Sequence, residues 1–405
     1  MPFRIALSGL NASSSQLDVT ANNIANANTT GFKGSRAEFA DVFAAGTLDS
    51  GGVAIGNGVR LANVAQQFTQ GNIGFTSSGL DLAINGQGFF TLRDGSGYVY
   101  TRNGAFSVDR DGYVVNANNQ RLQVYPQVPT GGFNTGTLID LRLQTAQSTP
   151  QATTSGEVVV NLPAGAGLPV VPVFDPADSQ SYSHSTSTAV YDSLGNLHQA
   201  TFFFIKTPNP NEWQVALAVD GTQVGTPQTL QFSASGLQTA PAGGDIAFPP
   251  YDPANGALPL AMTFDFAQAT QYGGQFAVSA LNQDGFSSGR LTSIDISDTG
   301  VVFARFTNGR ALELGQVAMS NFPNAQGLRQ LGETTWGESF ASGGVIRGEA
   351  GAASFGLIQA GALEGANVDL TQELVAMITA QRSFQANAQM ISTADSITQT
   401  IINIR

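Results

Sequence analysis

Two seven-residue repeats, one at each end of the chain, constrain its fold more than any other feature. In each repeat an apolar position recurs together with a second position three or four residues away, which is the spacing of a helical seam. The first repeat combines Phe3, Leu10, Leu17 and Ile24 with Ala6, Ser13, Thr20 and Ala27. The second combines Leu370, Met377, Phe384, Ile391 and Thr398 with Leu374, Gln381, Ala388, Asp395 and Ile402. The sequence therefore predicts one long helix at each terminus.

The predicted C-terminal helix also has a specific start signal. Asp369 is followed three residues later by Gln372, as in a capping box, so we expect Asp369 to be the N-cap. About half of the positions in both repeats are small or polar, and a lone pair of such helices would bury little apolar area. We therefore expect the terminal helices to become ordered on assembly with other copies. A local helical bundle stays an alternative for either repeat.

Between the two repeats the apolar residues follow a period of two. Leu80, Leu82 and Ile84 alternate with small or polar residues. Turn signals then follow at Asp94–Gly97, Asn103–Gly104, Asp111–Gly112 and Asn118–Asn119. The stretches that separate these turns are rich in aromatic and β-branched residues, so the region predicts an antiparallel meander.

Two further regions show the same pattern. The central region has turn signals at Tyr191–Asn196, Thr207–Asn211 and Asp220–Gly221, and the late region has them at Asp298–Gly300 and Asn308–Gly309. We therefore expect a mainly β, multidomain protein with antiparallel β domains that are nested and discontinuous. Its N- and C-terminal α-helices would form a coiled-coil-like inner domain.

Two linker-like stretches divide the predicted β regions. Gln144–Gly156 is rich in Ser, Thr, Gln and Pro, and Thr239–Gly256 is rich in Pro and Gly. The expected domains are a terminal helical domain of 1–30 with 366–405, a connector or extended segment of 31–76, a discontinuous β domain of 77–145 with 286–365, and an inserted outer β domain of 146–285.

The composition limits the classes of partner. Only 11% of the residues are charged, so the surface is polar but weakly charged, which favours packing against other copies. The net charge is −12 and Lys33 and Lys206 are the only lysines, so we expect no nucleic-acid partner and no membrane partner. The chain has no cysteine, which excludes disulfides and thiolate metal sites. We also expect no membrane insertion and no cleavable signal peptide.

We find no catalytic or cofactor motif in the sequence. His184 and His198 lack the spacing of a metal site, and a structural role is the favoured interpretation. Asp109–Gly112 lacks the frame of a calcium loop and predicts a hairpin turn. Gly51–Val59 is glycine-rich without a phosphate-binding pattern and predicts a flexible connector. We therefore expect no enzyme, no cofactor and no metal.

Three segments carry a signal more specific than periodicity. They are Leu7–Phe39 (beginning LSGLNASSS), Ser77–Tyr125 (beginning SSGLDLAINGQGFF) and Gly365–Ile404 (beginning GANVDLTQELV). In this order they resemble the N-terminal signature, the shared β module and the C-terminal helix of the bacterial flagellar rod and hook family. Rod members of the family have little sequence between that β module and the later strands that complete its domain, whereas this chain carries the insert 146–285. This insert favours the hook branch of the family. The segment Leu291–Leu328, which is similar to the strands that follow the insert in hook members, favours it too.

This resemblance implies a polymer. Copies would stack into a curved helical tube with terminal helices around a central export channel and β domains outside, forming a universal joint that transmits torque from rod to filament. Implied partners besides other copies are the distal rod protein, the hook cap, the hook–filament junction proteins and the type III export apparatus, with an extracellular location. Two alternatives stay open: a distal rod or other axial protein with a large insert, and a secreted β-rich protein that binds or hydrolyses carbohydrate.

The expected assembly residues lie on the terminal helices. The apolar members are Phe3, Leu10, Leu17, Ile24, Leu370, Leu374, Met377, Phe384, Ile391 and Ile402. Asn22 and Asn26 lie one turn apart, so their amides can offer donors and acceptors to an adjacent copy without the repulsion that identical charges would cause. The alternative is that these asparagines face water or end the helix, as we expect of Asn28 before Gly31.

Overall fold

The computed structural model describes residues 2–42, 56–95, 97–128, 131–143 and 147–403. Several sequence predictions lie partly outside these residues. They include 43–55 of the segment 31–76 with its predicted flexible connector Gly51–Val59, 144–146 of the linker-like stretch Gln144–Gly156, Ser96 of the turn Asp94–Gly97, and residues 1, 404 and 405 of the helical domain. The chain divides into two compact units. Unit 1 comprises Met1–Gln144, Ser293–Arg305 and Ala311–Arg405, and unit 2 comprises Thr145–Thr292 and Phe306–Arg310.

Two helices enclose a series of strands in chain order. The first elements are α1 (Pro2–Ala25), β1 (Ser35–Asp41), β2 (Val59–Gln66), β3 (Ile73–Phe75), β4 (Leu82–Asn85), β5 (Phe89–Asp94), β6 (Gly97–Thr101), β7 (Ser107–Val108), β8 (Val114–Val115), β9 (Arg121–Tyr125) and β10 (Ile139–Asp140). The central elements are β11 (Ser155–Pro163), β12 (His184–Tyr191), β13 (Leu197–Lys206), β14 (Glu212–Val219), β15 (Thr222–Phe232), β16 (Gln238–Ala240), β17 (Asp245–Ala247), β18 (Thr263–Asp265), β19 (Thr270–Tyr272) and β20 (Ala277–Gln283). The last elements are β21 (Leu291–Ile296), β22 (Val301–Phe306), β23 (Ala311–Val317), β24 (Met319–Asn321), a 3-10 turn (Ala325–Gly327), β25 (Arg329–Gly332), β26 (Thr335–Gly337), β27 (Ile346–Gly348), β28 (Leu357–Ala360), β29 (Ala362–Glu364) and α2 (Leu370–Asn403).

The two terminal helices lie against each other along a row of small residues. Ala380 is buried on α2. The side chains of α1 that are buried on the same row include Ala6, Ser13 and Thr20. A Cβ atom at Gly9 would lie 2.7 Å from Oδ1 of Asn387, so the side chain of Asn387 packs directly on the backbone of α1 at this point.

The start of α2 is capped as the sequence predicts. Asp369 Oδ1 accepts hydrogen bonds from the backbone N–H groups of Thr371 at 2.8 Å and Gln372 at 3.2 Å, which confirms the N-cap. In the part of the chain that the structure describes, no helix is both long and apolar enough to span a lipid bilayer.

Most large residues of the two repeats lie beside the row of small residues. Six of them are half-buried: Leu10, Leu17, Ile24, Met377, Phe384 and Ile391. Four apolar members of the repeats are exposed: Phe3, Leu370, Leu374 and Ile402. Because the backbones approach each other through small side chains, the larger ones lie on the flanks of the contact and keep their apolar surface free.

Strands β1 and β2 form a two-stranded antiparallel ladder that the sequence analysis did not predict. Ser35 is paired with Gln66 and Asp41 with Val59, with a bulge between Glu38 and Phe39. The ladder packs on α1 and buries Ala37 and Ala65. It occupies much of the segment 31–76, which was expected to be a connector or extended segment.

The β part of unit 1 is built on a large sheet with the strand order β21-β22-β23-β9-β5-β6-β26-β25. Its core is apolar and includes Leu82, Phe90, Leu92, Leu122, Val124, Val302, Val317 and Met319. The hairpin turn predicted at Asp109–Gly112 is confirmed, since Asp109 Oδ1 accepts the N–H groups of Asp111 and Tyr113. The predicted antiparallel pairing is confirmed along this path from β22 to β25.

Unit 2 contains two five-stranded sheets that contribute to one core. Strands β12 to β16 pair in sequence order and antiparallel, and the positive φ angles of Asp220 and Gly221 fit the predicted tight turn between β14 and β15. In the other sheet β11 is parallel to β18 and β19, so the antiparallel expectation is wrong at these pairs. The shared core is aromatic and includes Phe202, Phe204, Trp213, Phe264 and Phe266.

His198 of unit 2 lies between two carboxylates. Its Nδ1 is 2.6 Å from Asp220 Oδ2 and its Nε2 is 3.3 Å from Asp192 Oδ2. Burial opposes the charged form, but the hydrogen bonds to Asp220 and Asp192 raise the pKa of His198 above its usual value. His184 instead stacks on Phe276 with ring centroids 4.6 Å apart. Within the described residues, no cluster of His, Asp and Glu side chains is arranged to hold a metal ion.

We predict that the stability of unit 2 falls as the pH rises above neutrality. A histidine whose folded pKa is raised stabilises the fold fully below its unfolded pKa of about 6.5, and this contribution is lost as the pH passes the folded pKa. Calorimetry of the full chain at pH 6 and pH 8.5 should show the lower melting temperature for unit 2 at pH 8.5. The variant His198→Gln should show a smaller difference, and an unchanged difference would contradict the assignment to His198.

A candidate assembly surface and the buried junction behind it

Several exposed apolar side chains lie on the two terminal helices. Together they define what we call the helix surface: Phe3 and Leu7 on α1, with Leu370, Leu374, Val375, Ile378, Met390, Ile397 and Ile402 on α2. Single exposed apolar residues are ordinary on protein surfaces, but a group of them on two packed helices is typical of an interaction site. Leu374, for example, lies in the first turns of the 34-residue helix α2, and 45% of its surface is accessible.

Two grooves adjoin the helix surface. The first has a volume of about 760 Å³ and is lined by Phe3, Met390, Ala394 and Ile397 among others. The second, of about 520 Å³, is lined mainly by small residues of both helices and by one ring of the β1–β2 ladder: Gly9, Ala12, Ser13, Ala376, Ala380 and Phe39. Unit 1 therefore carries projecting apolar side chains and apolar recesses on the same pair of helices.

The asparagines at the end of α1 have different environments. Asn26 Nδ2 donates to Asn22 Oδ1 at 2.7 Å and to the Asn22 carbonyl at 3.0 Å, and the Asn22 side chain is exposed. These two residues thus bond to each other in the isolated chain, and their predicted role toward an adjacent copy stays a prediction.

Asn23, which the sequence analysis did not select, is the asparagine that the fold buries. Its Oδ1 accepts the backbone N–H of Ser35 at 2.9 Å, and its Nδ2 donates to the Ser35 carbonyl at 2.8 Å and to Glu373 Oε1 at 2.9 Å. One side chain therefore joins α1, β1 and α2. The available signal was position: Asn23 follows Thr20 by three residues on the inward row of α1.

Behind the helices, a buried cluster of charges joins distant parts of unit 1. Lys33 Nζ lies 2.7 Å from Glu364 Oε1 and donates to the Thr69 carbonyl at 2.7 Å. Arg102 donates from Nη1 to Glu364 Oε2 at 3.2 Å and from Nη2 to the Gly86 carbonyl at 2.8 Å. We call Lys33, Arg102 and Glu364 the junction, and all three side chains are buried.

The electrostatics of the junction make its members interdependent. Burial lowers the pKa of Lys33 and of Arg102, and the neighbouring Glu364 carboxylate counteracts this shift in both. Two cations share one carboxylate, and Gly71 N–H adds a further hydrogen bond to that carboxylate at 2.8 Å. Removing the carboxylate would leave two buried charges without a counter-charge, which is much more costly than losing an exposed ion pair.

The junction also sets where both helices meet the β part of unit 1. The backbone N–H of Gly31, just after α1, donates to the Glu364 carbonyl at 2.8 Å. Asn367, just before α2, accepts from Gly34 N–H at 2.7 Å and donates to the Gln67 carbonyl at 2.6 Å. The residues that follow α1 are thereby hydrogen-bonded to the residues that precede α2.

Comparisons with known proteins agree with this architecture. Family models match four consecutive parts of the chain: "Flagella basal body rod protein" at 3–33, "Flagellar hook protein FlgE/F/G D1 domain" at 83–160, "Flagellar basal body protein FlaE D2 domain" at 161–286 and "Flagellar basal body rod FlgEFG protein C-terminal" at 359–404. The flagellar hook protein FlgE of Escherichia coli K12 is 39% identical over 417 residues, with both chains covered completely. This chain belongs to the flagellar hook protein family.

Other hook proteins give the same picture. The flagellar hook protein FlgE of Salmonella typhimurium LT2 is 38% identical with complete coverage of both chains, and that of Borreliella burgdorferi is 32% identical with 98% of each chain covered. The crystal structure of Helicobacter pylori flagellar hook protein FlgE2 has a TM-score of 0.53 at 14% identity, covers 71% of this chain and 99% of its own, and supports the fold alone. The resemblance to the rod and hook family is confirmed, and the full-length matches confirm its hook branch.

We predict that Glu364→Gln lowers the free energy of unfolding by about 3–5 kcal/mol, because Lys33 and Arg102 lose their buried counter-charge. The matched control is Glu38→Gln, which removes the carboxylate of the exposed Arg36–Glu38 pair at 2.8 Å and should cost less than about 1 kcal/mol. Urea unfolding of the full chain measures both. Equal losses in the two variants would contradict the junction's role.

A second prediction separates the adjacent asparagines. Asn23→Ala should lower the free energy of unfolding by about 1–3 kcal/mol, because the Ser35 backbone groups and Glu373 lose buried partners. Asn22→Ala, at an exposed position with the same helix propensity change, should stay within about 0.5 kcal/mol of the parent. Thermal unfolding of both variants tests this, and a larger loss for Asn22→Ala would be the contrary result.

Proposed function

We propose that this chain is the structural subunit of the bacterial flagellar hook. Copies assemble into a curved helical tube with a central export channel, and the tube acts as a universal joint that transmits torque from the rod to the filament. The observation that carries this proposal is the helix surface: apolar residues of both terminal helices stay uncovered in the isolated chain. Membership of the flagellar hook protein family supplies the setting.

The recesses and projections of the helix surface suit a helical polymer. A heterologous contact repeats without closing when a projecting patch on one copy fits a recess on the next. The grooves beside Phe39 and Met390 offer such recesses, and Leu374 and Ile378 are examples of projecting side chains. Each buried large apolar side chain contributes about 1.5–3 kcal/mol, so several together can offset an association cost of about 4–15 kcal/mol.

The twelve residues expected from the sequence are proposed as assembly residues on this basis. They are Phe3, Leu10, Leu17, Asn22, Ile24, Asn26, Leu370, Leu374, Met377, Phe384, Ile391 and Ile402. Those that are exposed would contact other copies directly, whereas the half-buried ones would hold the helix pair in shape while sharing the edge of the contact. The helical domain of 1–30 with 366–405 would form the inner wall, with 77–145, 286–365 and the insert 146–285 outside it and 31–76 as the link.

Several finer features belong to the same proposal. The protein would act without enzymatic activity and would leave the cell through the flagellar type III export apparatus to reach the extracellular hook. Besides other copies, it would contact the distal rod protein, the hook cap and the hook–filament junction proteins. The family membership supports these assignments, and the low charge of the chain agrees with a protein that packs mainly against itself.

We predict that the purified chain polymerises into curved tubes visible by electron microscopy, and that Leu374→Asp abolishes polymerisation. A charge at this exposed apolar position would have to be buried at each contact between copies. The monomer's melting temperature should stay nearly unchanged, because Leu374 is not part of the core.

The matched control is Gln385→Asp, which places the same charge at an exposed polar position of the same helix. It should disturb polymerisation much less than Leu374→Asp. Straight tubes from the parent chain would favour a rod-like protein. Normal polymerisation of Leu374→Asp, or a large loss of monomer stability, would remove the support that the helix surface gives to this proposal.

A further inference from the structure

Five asparagines of the chain are followed directly by a glycine: Asn57, Asn85, Asn103, Asn255 and Asn308. At such a step the backbone nitrogen of the glycine can attack the side-chain carbonyl carbon of the asparagine, because glycine has no Cβ atom to hinder the approach. The attack requires that the glycine N–H is free of a hydrogen bond and that the peptide between the two residues can turn. The fold therefore decides which of the five asparagines can react.

Two of the glycines are held by hydrogen bonds of their backbone N–H groups. Gly86 donates to Oε1 of Gln70 at 3.1 Å, and Gly309 donates to the Phe306 carbonyl at 3.0 Å. Each of these bonds must break before the nitrogen can turn toward the preceding amide, which raises the barrier to attack.

Two further glycines are fixed by packing. A Cβ atom at Gly104 would collide with the carbonyl oxygen of Leu82, and one at Gly58 would collide with Oγ of Ser8. Backbone that is packed this closely cannot rotate without moving its neighbours. The steps at these four glycines are thus protected, two by a hydrogen bond and two by packing.

The step from Asn255 to Gly256 has neither form of protection. Within the residues that the structure describes, the Gly256 N–H makes no hydrogen bond. Apart from its chain neighbours, no heavy atom lies within 4 Å of the position that a Cβ atom of Gly256 would take. Both residues are exposed, so water also reaches this step.

The asparagine side chains themselves do not account for the difference. Oδ1 of Asn255 accepts the N–H of Ala257 at 2.9 Å. Oδ1 of Asn103 and Oδ1 of Asn308 each accept the N–H two residues later at 3.1 Å. A donor at this oxygen stabilises the negative charge that develops on it during attack. Because all three asparagines have this contact, the freedom of Gly256 is what distinguishes Asn255.

Asn255 also fastens the loop in which it lies. Its Nδ2 donates to Oδ2 of the buried Asp192 at 2.6 Å, and the N–H of Leu258 donates to Oγ of Ser193 at 2.9 Å. These two hydrogen bonds join the loop to the turn Asp192–Asn196 within unit 2. A carboxylate in place of the Asn255 amide would face the Asp192 carboxylate and repel it.

We propose that Asn255 is a site of spontaneous deamidation and that its conversion loosens this loop from the turn. In the first step the Gly256 nitrogen bonds to Cγ of Asn255, and the bond from Cγ to Nδ2 breaks. The proton of the Gly256 nitrogen passes to water, and the leaving nitrogen takes a proton from water and departs as ammonia. In the second step water opens the cyclic imide at either carbonyl, which leaves aspartate or isoaspartate without any oxidant or reductant. This inference goes beyond the proposed function and does not depend on it.

Peptide mass spectrometry of the folded full chain, incubated at neutral pH, tests the selectivity. Conversion at Asn255 should be about tenfold or more faster than at Asn308, because the Gly309 nitrogen must first lose its hydrogen bond. In urea the five asparagines should convert at similar rates, since the fold no longer distinguishes their glycines. Asn255→Gln, whose longer side chain forms the imide far more slowly, should stay unconverted over the same period. Equal rates at Asn255 and Asn308 in the folded chain would overturn the proposal.

Amide hydrogen exchange tests the consequence. Asn255→Asp mimics the product, and the N–H of Leu258 should exchange about tenfold faster in this variant than in the parent, because the loop opens more often. The control Asn118→Asp adds the same charge at an exposed position of unit 1 and should leave the exchange of Leu258 unchanged. Parental exchange of Leu258 in Asn255→Asp would overturn the claim that conversion loosens the loop. None of these results affects the proposed function, which polymerisation tests separately.

Discussion

One buried carboxylate connects segments of unit 1 that are far apart in sequence. Glu364 neutralises Lys33 and Arg102 in a site that water does not reach, and it also accepts the N–H of Gly71. Lys33 lies shortly after α1 and Glu364 shortly before α2, so the ion pair joins the inner ends of both helices. Loss of any one of these partners would leave a buried charge uncompensated, so the three side chains depend on one another.

The contact between the helices explains why the chain has apolar surface to offer. Gly9, Ala6 and Ala380 let the backbones come close, which excludes the large heptad residues from the centre of the contact. The small residues thus serve the fold of one chain, and the exposed large residues, such as Leu374, stay available to other copies. The same division applies to the amides, since Asn23 serves the fold and Asn22 faces outward.

Local patterns predicted much of this architecture. The seven-residue repeats located both helices, Asp369 was the N-cap, and the turn at Asp109–Gly112 closed a hairpin. Contacts between distant segments were not predictable in this way. The hydrophobic pattern of the segment that contains β1 and β2 did not indicate that these two strands pair. Strand β11 pairs in parallel with strands about a hundred residues later in the chain. Lys33 and Glu364 are 331 residues apart, and no local pattern of the chain indicates that they pair.

By itself the sequence determined the types of the elements, the positions of both helices and the family, because period, capping and signature segments are local properties of the chain. Only the tertiary structure decided which of the repeat positions face inward, which asparagine is buried and which charges share the junction. A seven-residue period defines a face of a helix, but it does not say which residues of that face are buried within the chain and which stay exposed. That choice depends on how closely two backbones can approach, and the small residues of α1 and α2 settle it only when the two ends of the chain come together.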